Sequence, residues 1–578
     1  MNTTRLLATV SLPALAILTA TPALAGEVVG TVIDASQTVA LRAAKVRIVE
    51  LGRVATTTAD GSFYLPDLPA GDYTLEVRYV GAETVRQRVM VPETGEVAVT
   101  ITVGGATARE ILVIGQSANL ASALSRKRSS DTVSDVLSRD AIGQFPDQNV
   151  AESLRRLPGI NILNDQGEGR FVSIRGLDPE LNSTSLNGVR LPAPESDVRS
   201  VALDVVSSDI IESIEVKKSL TPDMDADTIG ASVEIETTSA FARKKDLLTA
   251  KLEGSYNDYS GDVTPKGSFD FATKLSDAVG ISGGISYYKR KFETDNIEAD
   301  DWVDAGGGVF PATVEYRDYD VERERISGTL GLDFKVGGST ELYVKGTFSQ
   351  FDDQEFRRRT TFDLGDFEDD GPSSFNSANA TFSDADQEYT VERDIKDRFE
   401  RQRIWSIVAG GETHNDGWHL EYLASYAKAS EKESGSLDPV QFERDFDGDG
   451  VVVGFDYSDP RVPIYSVAGN VGAFSDPAGY ELNDIELTKL SDSQDEEWSV
   501  KLDVGREIFL DSGTFTVQAG FKGRWRDKSY AKEVEFYEHD DLALLWQKCD
   551  FWDSQKEISL IHGEPAFMEA GDVRGLAQ

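Results

Sequence analysis

Apolar and polar positions alternate with period two along most of this chain, and the places where that alternation begins or lapses divide it into parts. From Leu247 onward, Leu248, Ala250, Leu252, Gly254 and Tyr256 interleave with Thr249, Lys251, Glu253, Ser255 and Asn257. That is a strand with one face for oil and one for water. The same dyad recurs near 268–277, 281–290, 326–336, 341–351, 404–410, 418–428, 498–504 and 515–525, which predicts nine or ten strands. After the first hairpin their connections alternate short and long: 278–280, then 291–325, 337–339, 352–403, 411–417, 429–497 and 506–513. Barrels of outer membranes have short turns at one end and long loops at the other, whereas a soluble sandwich has no reason for such a series.

Upstream the runs are shorter. Those at 28–33, 44–50, 62–65, 73–79 and 97–103, separated by Gly, Asp and Pro clusters, predict a small β-sandwich over 26–103, with Asp60-Gly61 as a hairpin turn. Between 129 and 240 the strand pieces are too short and too polar to face lipid. There Val150, Leu154 and Leu157 share one face of a short helix that Pro158-Gly159 ends. At the start, Arg5 precedes an apolar stretch from Leu6 to Ala20, and Ala23-Leu24-Ala25 stands before Gly26. This is the layout of a cleavable secretory signal over 1–25.

Composition narrows the classes. A net charge of −42 and a pI near 4.4 argue against nucleic acid, whose phosphates need clustered Lys and Arg. Beyond the signal no run of about 18 apolar residues exists, so no helical span is expected. The single Cys549 cannot form an internal disulfide. The fold class expected is mainly β: a sandwich, an α+β domain, and an incomplete antiparallel transmembrane β-barrel of nine or ten strands.

Two stretches carry resemblances. Gly30-Thr-Val-Ile-Asp34, Ala44-Lys-Val46, Asp60-Gly61-Ser-Phe63, Ala70-Gly71-Asp-Tyr73 and Tyr79-Val-Gly81 resemble the carboxypeptidase-regulatory-like, transthyretin-type domain. The peptidase itself would need zinc ligands at helical spacing, and His414, His419, His539 and His562 stand in no HxxE or HExxH arrangement, so a spacer or docking role is expected. The run from Ile142-Gly143-Gln144-Phe145-Pro146-Asp147 to Leu154, with Leu157-Pro158-Gly159-Ile160, Val172-Ser173-Ile174-Arg175-Gly176-Leu177, Leu186-Asn187-Gly188-Val189-Arg190, Ile211-Glu212-Ser213-Ile214-Glu215-Val216 and Gly230-Ala231-Ser232-Val233-Glu234-Ile235, is similar to the plug of TonB-dependent outer-membrane receptors, in family order.

That resemblance implies a plug over 129–240, a partial barrel over 245–578 with its long loops outside the cell, and an outer-membrane protein whose N-terminal domain is periplasmic. Glu110, Ile111, Leu112, Val113 and Ile114, in a linker over 104–128, resemble the TonB box, the strand that pairs with the energy-transducing protein TonB. Arg175 is the expected plug-to-wall ion-pair residue, and Asp223, Asp225 and Asp227 read as a plain plug segment rather than a metal loop. The function implied is energised uptake of a scarce ligand, an oligosaccharide or else a ferric siderophore or cobalamin, with no catalytic step. Receptors that also signal generally carry a different N-terminal domain. A barrel that holds a plug takes about 22 strands, and the chain ends at Ala577-Gln578 without a terminal aromatic residue. A fragment, a premature stop or a shifted frame is therefore expected, with an open, curled sheet and, as one alternative, a non-functional remnant.

One more pattern stands in the longest loop. Asp445, Asp447 and Asp449 occupy positions 1, 3 and 5 of a calcium-loop template, Gly450 position 6, the Val451 carbonyl position 7 and Asp456 position 12. No other cofactor is expected. Trp302, Phe310, Tyr316, Phe442, Phe455 and Tyr465 are candidates to stack on sugar rings.

Overall fold

The computed structural model describes residues 26–34, 40–104, 114–143, 147–225, 228–243, 245–304, 308–337, 339–415, 417–510 and 513–538. The signal segment and residues 110–113 lie outside them. Nine antiparallel strands in sequence order form the wall: β1 (Leu247–Tyr256), β2 (Val263–Ser276), β3 (Val279–Asp304), β4 (Val309–Val336), β5 (Thr340–Asp363), β6 (Tyr389–Asn415), β7 (Trp418–Glu433), β8 (Glu481–Leu510) and β9 (Gly513–Glu538). A tenth, Ser436–Phe446, wedges between β6 and β8 where they have run past β7. Among the described residues β1 pairs only with β2, and β9 only with β8, so the sheet is open at both edges.

The dyad sorts the two faces as expected. Leu248, Leu252, Ile285, Ile407, Trp498, Leu502, Phe521 and Trp525 all stand exposed on the outer side, Leu252 at 88%. So large a contiguous apolar surface is intolerable in water and ordinary in lipid. The inner face meets the plug, and wall residues Phe351, Ile404 and Ala429 complete the plug's own core.

The strands are longer than the alternation shows. β3 has 26 residues, β4 28 and β8 30, whereas crossing a bilayer takes about ten. The segments 291–325, 352–403 and 429–497, expected as loops, are in large part these same strands continued. Apolar alternation ends where both faces become wet, and opposite charges facing across the ladder take over. Arg358 lies opposite Asp318 at 2.8 Å, and Arg401 opposite Asp352 at 2.7 Å.

At this end the chain builds a cap of its own. Ser374–Phe375, Asn379–Ser383, Val451–Asp456 and Ile464–Gly469 form a four-stranded sheet, and the helix Val471–Ser475 follows. They close over an aromatic core in which Phe362 meets Phe455 edge-on at 5.2 Å and Tyr316 at 6.1 Å. Phe310, Tyr316 and Phe455 are thus buried packing residues, not exposed stacking platforms.

Among the described residues the sandwich has seven strands. Ser62–Leu68, Gly26–Asp34 and Gly95–Val103 form one sheet, and Val54–Thr56, Lys45–Ile48, Gly71–Arg78 and Val85–Val91 form the other. Val28, Val46, Phe63, Leu75 and Ile101 fill the space between them. Gly61 has φ +77°, and a Cβ there would meet the Val32 carbonyl at 2.6 Å, so this turn requires glycine.

The plug is a five-stranded mixed sheet, with Ser232–Thr237 at its centre, Val189–Arg190 on one edge and Ser134–Ser138 on the other, plus a hairpin Ile160–Asp165/Glu168–Ile174. Its short helix is Val150–Leu154. Asn149 caps it by accepting from Glu152 N and donating to Gly169 O. Residues 114–128, expected as linker, are instead most of a helix, α1 (Ile114–Ser129). Its Ala, Leu and Ser content permits a helix, and Arg126-Lys127-Arg128 in the last turn suit the negative end of its dipole.

Candidate functional site: the plug-to-wall interface

The hairpin Ile160–Asp165/Glu168–Ile174 turns through Gln166 and Gly167, both at positive φ (45° and 80°), the backbone of a two-residue type I′ turn. The turn pushes Glu168 against the wall. Period two puts Arg323 and Arg325 of β4 on one face, and the register sets Arg290 of β3 opposite Arg323. All three guanidiniums converge on Glu168, which is 1% exposed. Arg325 donates at 2.5 Å and Arg323 at 2.9 Å to Oε2, and Arg290 at 2.8 Å to Oε1.

The remaining donors are also used. Arg323 reaches Asp165 at 3.0 Å, Gln166 at 2.8 Å and Asp353 at 3.2 Å, and Arg325 Nε donates to the Asp204 carbonyl at 2.7 Å. Arg290 lies 4.0 Å over the Phe292 ring and Arg325 4.5 Å over Phe351. Burial alone would raise the Glu168 carboxyl, but Arg325 and Arg323 outweigh it and hold the group well below the usual carboxylate range.

Smaller pairs ring the plug. Arg139 binds wall Asp270 at 2.8 Å, Asp209 binds Lys266 at 3.2 Å, and Asp225 binds Lys522 at 2.8 Å. Wall Asp333 accepts from Ser239 Oγ at 2.8 Å and from Ala240 N at 3.2 Å. The sandwich is tied in by Arg42 to plug Glu236 at 2.6 Å and by Asp60 to wall Lys335. Between sandwich, α1, plug and wall lies a cavity of about 510 Å³, to which Arg42, Arg126, Glu236, Glu421 and Lys501 contribute.

Arg175 is placed otherwise than expected. It is exposed, sits at φ 59°, and its guanidinium donates to the Gly230 carbonyl inside the plug. The deeply buried plug-to-wall contact has the reverse polarity, with the acid on the plug and the arginines on the wall. The signal in the chain was Arg-Glu-Arg at 323–325, two basic side chains on the polar face of a lipid-type strand, beyond the stretch where the alternation is apolar.

Of the TonB-box candidates, only Ile114 falls within the described backbone, as the first residue of α1. Buried Arg126 of that helix donates to Ser213 Oγ at 2.9 Å and to Glu215 at 2.8 Å, and Ser125 accepts from Val80 N of the sandwich at 3.2 Å. α1 is therefore a strut between sandwich and plug.

The five calcium-template residues are not brought together. Beyond Gly450 the chain extends as the strand Val451–Asp456, and at about 3.3 Å per residue this carries Asp456 far from the Asp turn. The Val451 carbonyl already accepts from Asp384 N at 3.2 Å, Asp445 from Thr390 at 2.6 Å and Asp456 from Ser458 N at 2.9 Å, while Asp449 faces Arg444 at 3.4 Å. A calcium loop must curl around its ion, and pairing of 451–456 in the cap sheet prevents that.

Residues 126–232 match the family model of the TonB-dependent receptor plug domain. Over those residues the chain carries a TonB-dependent receptor plug domain. Residues 27–104 match the carboxypeptidase regulatory-like domain. Among solved structures, a cohesin–X-dockerin complex of Acetivibrio cellulolyticus is 21% identical over 14% of this chain and 56% of its own, at TM-score 0.12. A mutant ferric enterobactin receptor of Pseudomonas aeruginosa, bound to enterobactin, is 13% identical over 69% of this chain and 72% of its own, at 0.29. A siderophore receptor of Acinetobacter baumannii is 10% identical over 69% and 62%, at 0.28. No curated protein sequence matches this chain.

Proposed function

We propose that this chain serves energised uptake of a scarce ligand across an outer membrane. The observation that carries the reading is a wall with an apolar outer face whose inner face grips a plug through a buried Glu168–arginine cluster. Such a plug is held by directional contacts, this cluster the most deeply buried of them, which a pull has to break to free it. In this reading the long-strand end and its cap face outward, the sandwich lies in the periplasm, and TonB pairs with Glu110–Ile114 by strand addition. No step requires a catalytic residue.

For the ligand we propose an oligosaccharide. The acidic excess of the chain disfavours anionic metal chelates on approach. At the cap Trp302 remains 40% exposed, its ring braced edge-on by Tyr457 at 5.7 Å, which leaves a face on which a sugar ring can stack. The test is uptake by cells carrying the full chain, with labelled oligosaccharides and a ferric chelate offered side by side. Sugar entry that stops when residues 110–114 are deleted, when TonB is absent, or when the proton gradient is collapsed supports the reading. Entry indifferent to all three sinks it, and chelate entry alone replaces the sugar.

A further inference from the structure

At the short-turn end of the β6–β7 hairpin, on the plug-facing side, three side chains of metal-binding type stand together: Glu412, His414 and His419. Two residues apart on β6, Glu412 and His414 share a face, and the register sets His419 of β7 directly opposite His414. That face points inward, because the same face of the same strands carries Val408 and Leu423, which pack on plug residue Val189. One carboxylate oxygen and one ring nitrogen from each histidine lie within 4.8 Å of one another. His414 Nε2 is 3.7 Å from Glu412 Oε2, and the two imidazoles lie face to face at 4.4 Å.

Both Nε2 atoms are buried and neither makes a hydrogen bond of ordinary length; His414 Nε2 has only the long contact with Glu412. Stacked imidazoles with two buried nitrogens short of a full hydrogen bond are a costly way to pack a turn. The surroundings add negative charge. Glu341, Glu421, Glu507 and Asp60 are the acidic groups closest in effect. Of these, Glu341 and Asp60 are answered by Lys335, and Glu421 by Lys501.

We infer that Glu412, His414 and His419 form a binding site for a divalent transition ion of the zinc, copper or nickel class at the short-turn rim of the wall. Two imidazoles and one carboxylate select such borderline ions over calcium and magnesium, which prefer oxygen alone. Ligand bonds of about 2.0–2.2 Å require the rings to turn about χ2 from stacked to convergent, which two nitrogens short of a full hydrogen bond permit. Three protein ligands leave a fourth position for water. The inference concerns the hairpin only and does not depend on the transport reading.

The experiment uses the full chain in outer-membrane vesicles, with zinc and copper salts as the only probes. Chelator competition should give one zinc ion per chain, and the copper-loaded chain should show nitrogen hyperfine splitting from two imidazoles. His414→Gln and His419→Gln should each weaken zinc binding at least about tenfold, while His539→Gln with His562→Gln leaves it unchanged. No zinc retained at micromolar concentration, a copper spectrum with oxygen ligands only, or loss confined to the His539/His562 variant would overturn the site. The copper spectrum is read on the unsubstituted chain, so it decides even if a variant does not fold.

Discussion

Glu168 answers the buried Arg323 and Arg325 and the partly buried Arg290 at once; removing its charge takes the carboxylate partner from Arg325 and Arg290, while Arg323 keeps Asp165 and Asp353. Breaking a buried pair in this way costs about 3–5 kcal/mol. Glu168→Gln should therefore loosen the plug, seen as protease cleavage within 134–237 at lower urea than in the unsubstituted chain. Arg175→Ala removes an exposed side chain and should cost under about 1 kcal/mol; equal effects from the two would refute the assignment of polarity. The pH dependence follows from the depressed Glu168 carboxyl. A group whose folded value lies below its unfolded 4.5 contributes fully above about pH 4.5 and loses that contribution as pH falls through the folded value. Plug protection should thus be level from neutral pH down to about 4.5 and fail only in stronger acid. An earlier loss, near pH 6, would mean that another group controls it. Arg175 was legible from the sequence as a residue and misleading as a contact, because a motif names a residue without saying which way its strand faces. Glu168 sits in an ordinary Asp-Gln-Gly-Glu turn, and only the wall it meets makes it special.

Among elements, the cap shows where periodicity stops informing. Strands through lipid announce themselves because one face must be apolar, and nine were readable from that alone. Past the lipid both faces are wet, so β3 to β6 continue on charge pairs and β-formers that look like loop. Aromatics in such a stretch can be platforms or core, and the sequence does not distinguish them. Phe362, fully buried among four rings, is core. Phe362→Ala should cost the cap about 3–5 kcal/mol and speed amide exchange over 374–383 and 451–469 while β1 and β2 exchange as before. Exchange rising equally in β1 and β2 would show that cap and wall melt as one.

Taken together, the described residues form an open wall with an apolar face on one side and a plug on the other. Ile407 stands 50% exposed in the apolar band, next in sequence to Val408, which packs on the plug. Ile407→Arg should destabilise the membrane-inserted chain by about 2–4 kcal/mol, and lipids carrying a quencher in their tails should dim Trp405, Trp498 and Trp525, which face the same way. Tryptophan emission untouched by such lipids would contradict the two-faced wall. The plug's edge has a mechanical consequence. Ser134–Ser138 follows α1 directly and pairs with Ile211–Lys217 antiparallel, Ser134 opposite Lys217 and Ser138 opposite Ser213. Tension entering through α1 first strains the clasp of Arg126 on Glu215, then arrives at the Ser134 end of a border strand. Under the pull proposed above, a force directed across that strand would part its five rungs one after another from the Ser134–Lys217 end, whereas a force along it would load all five together.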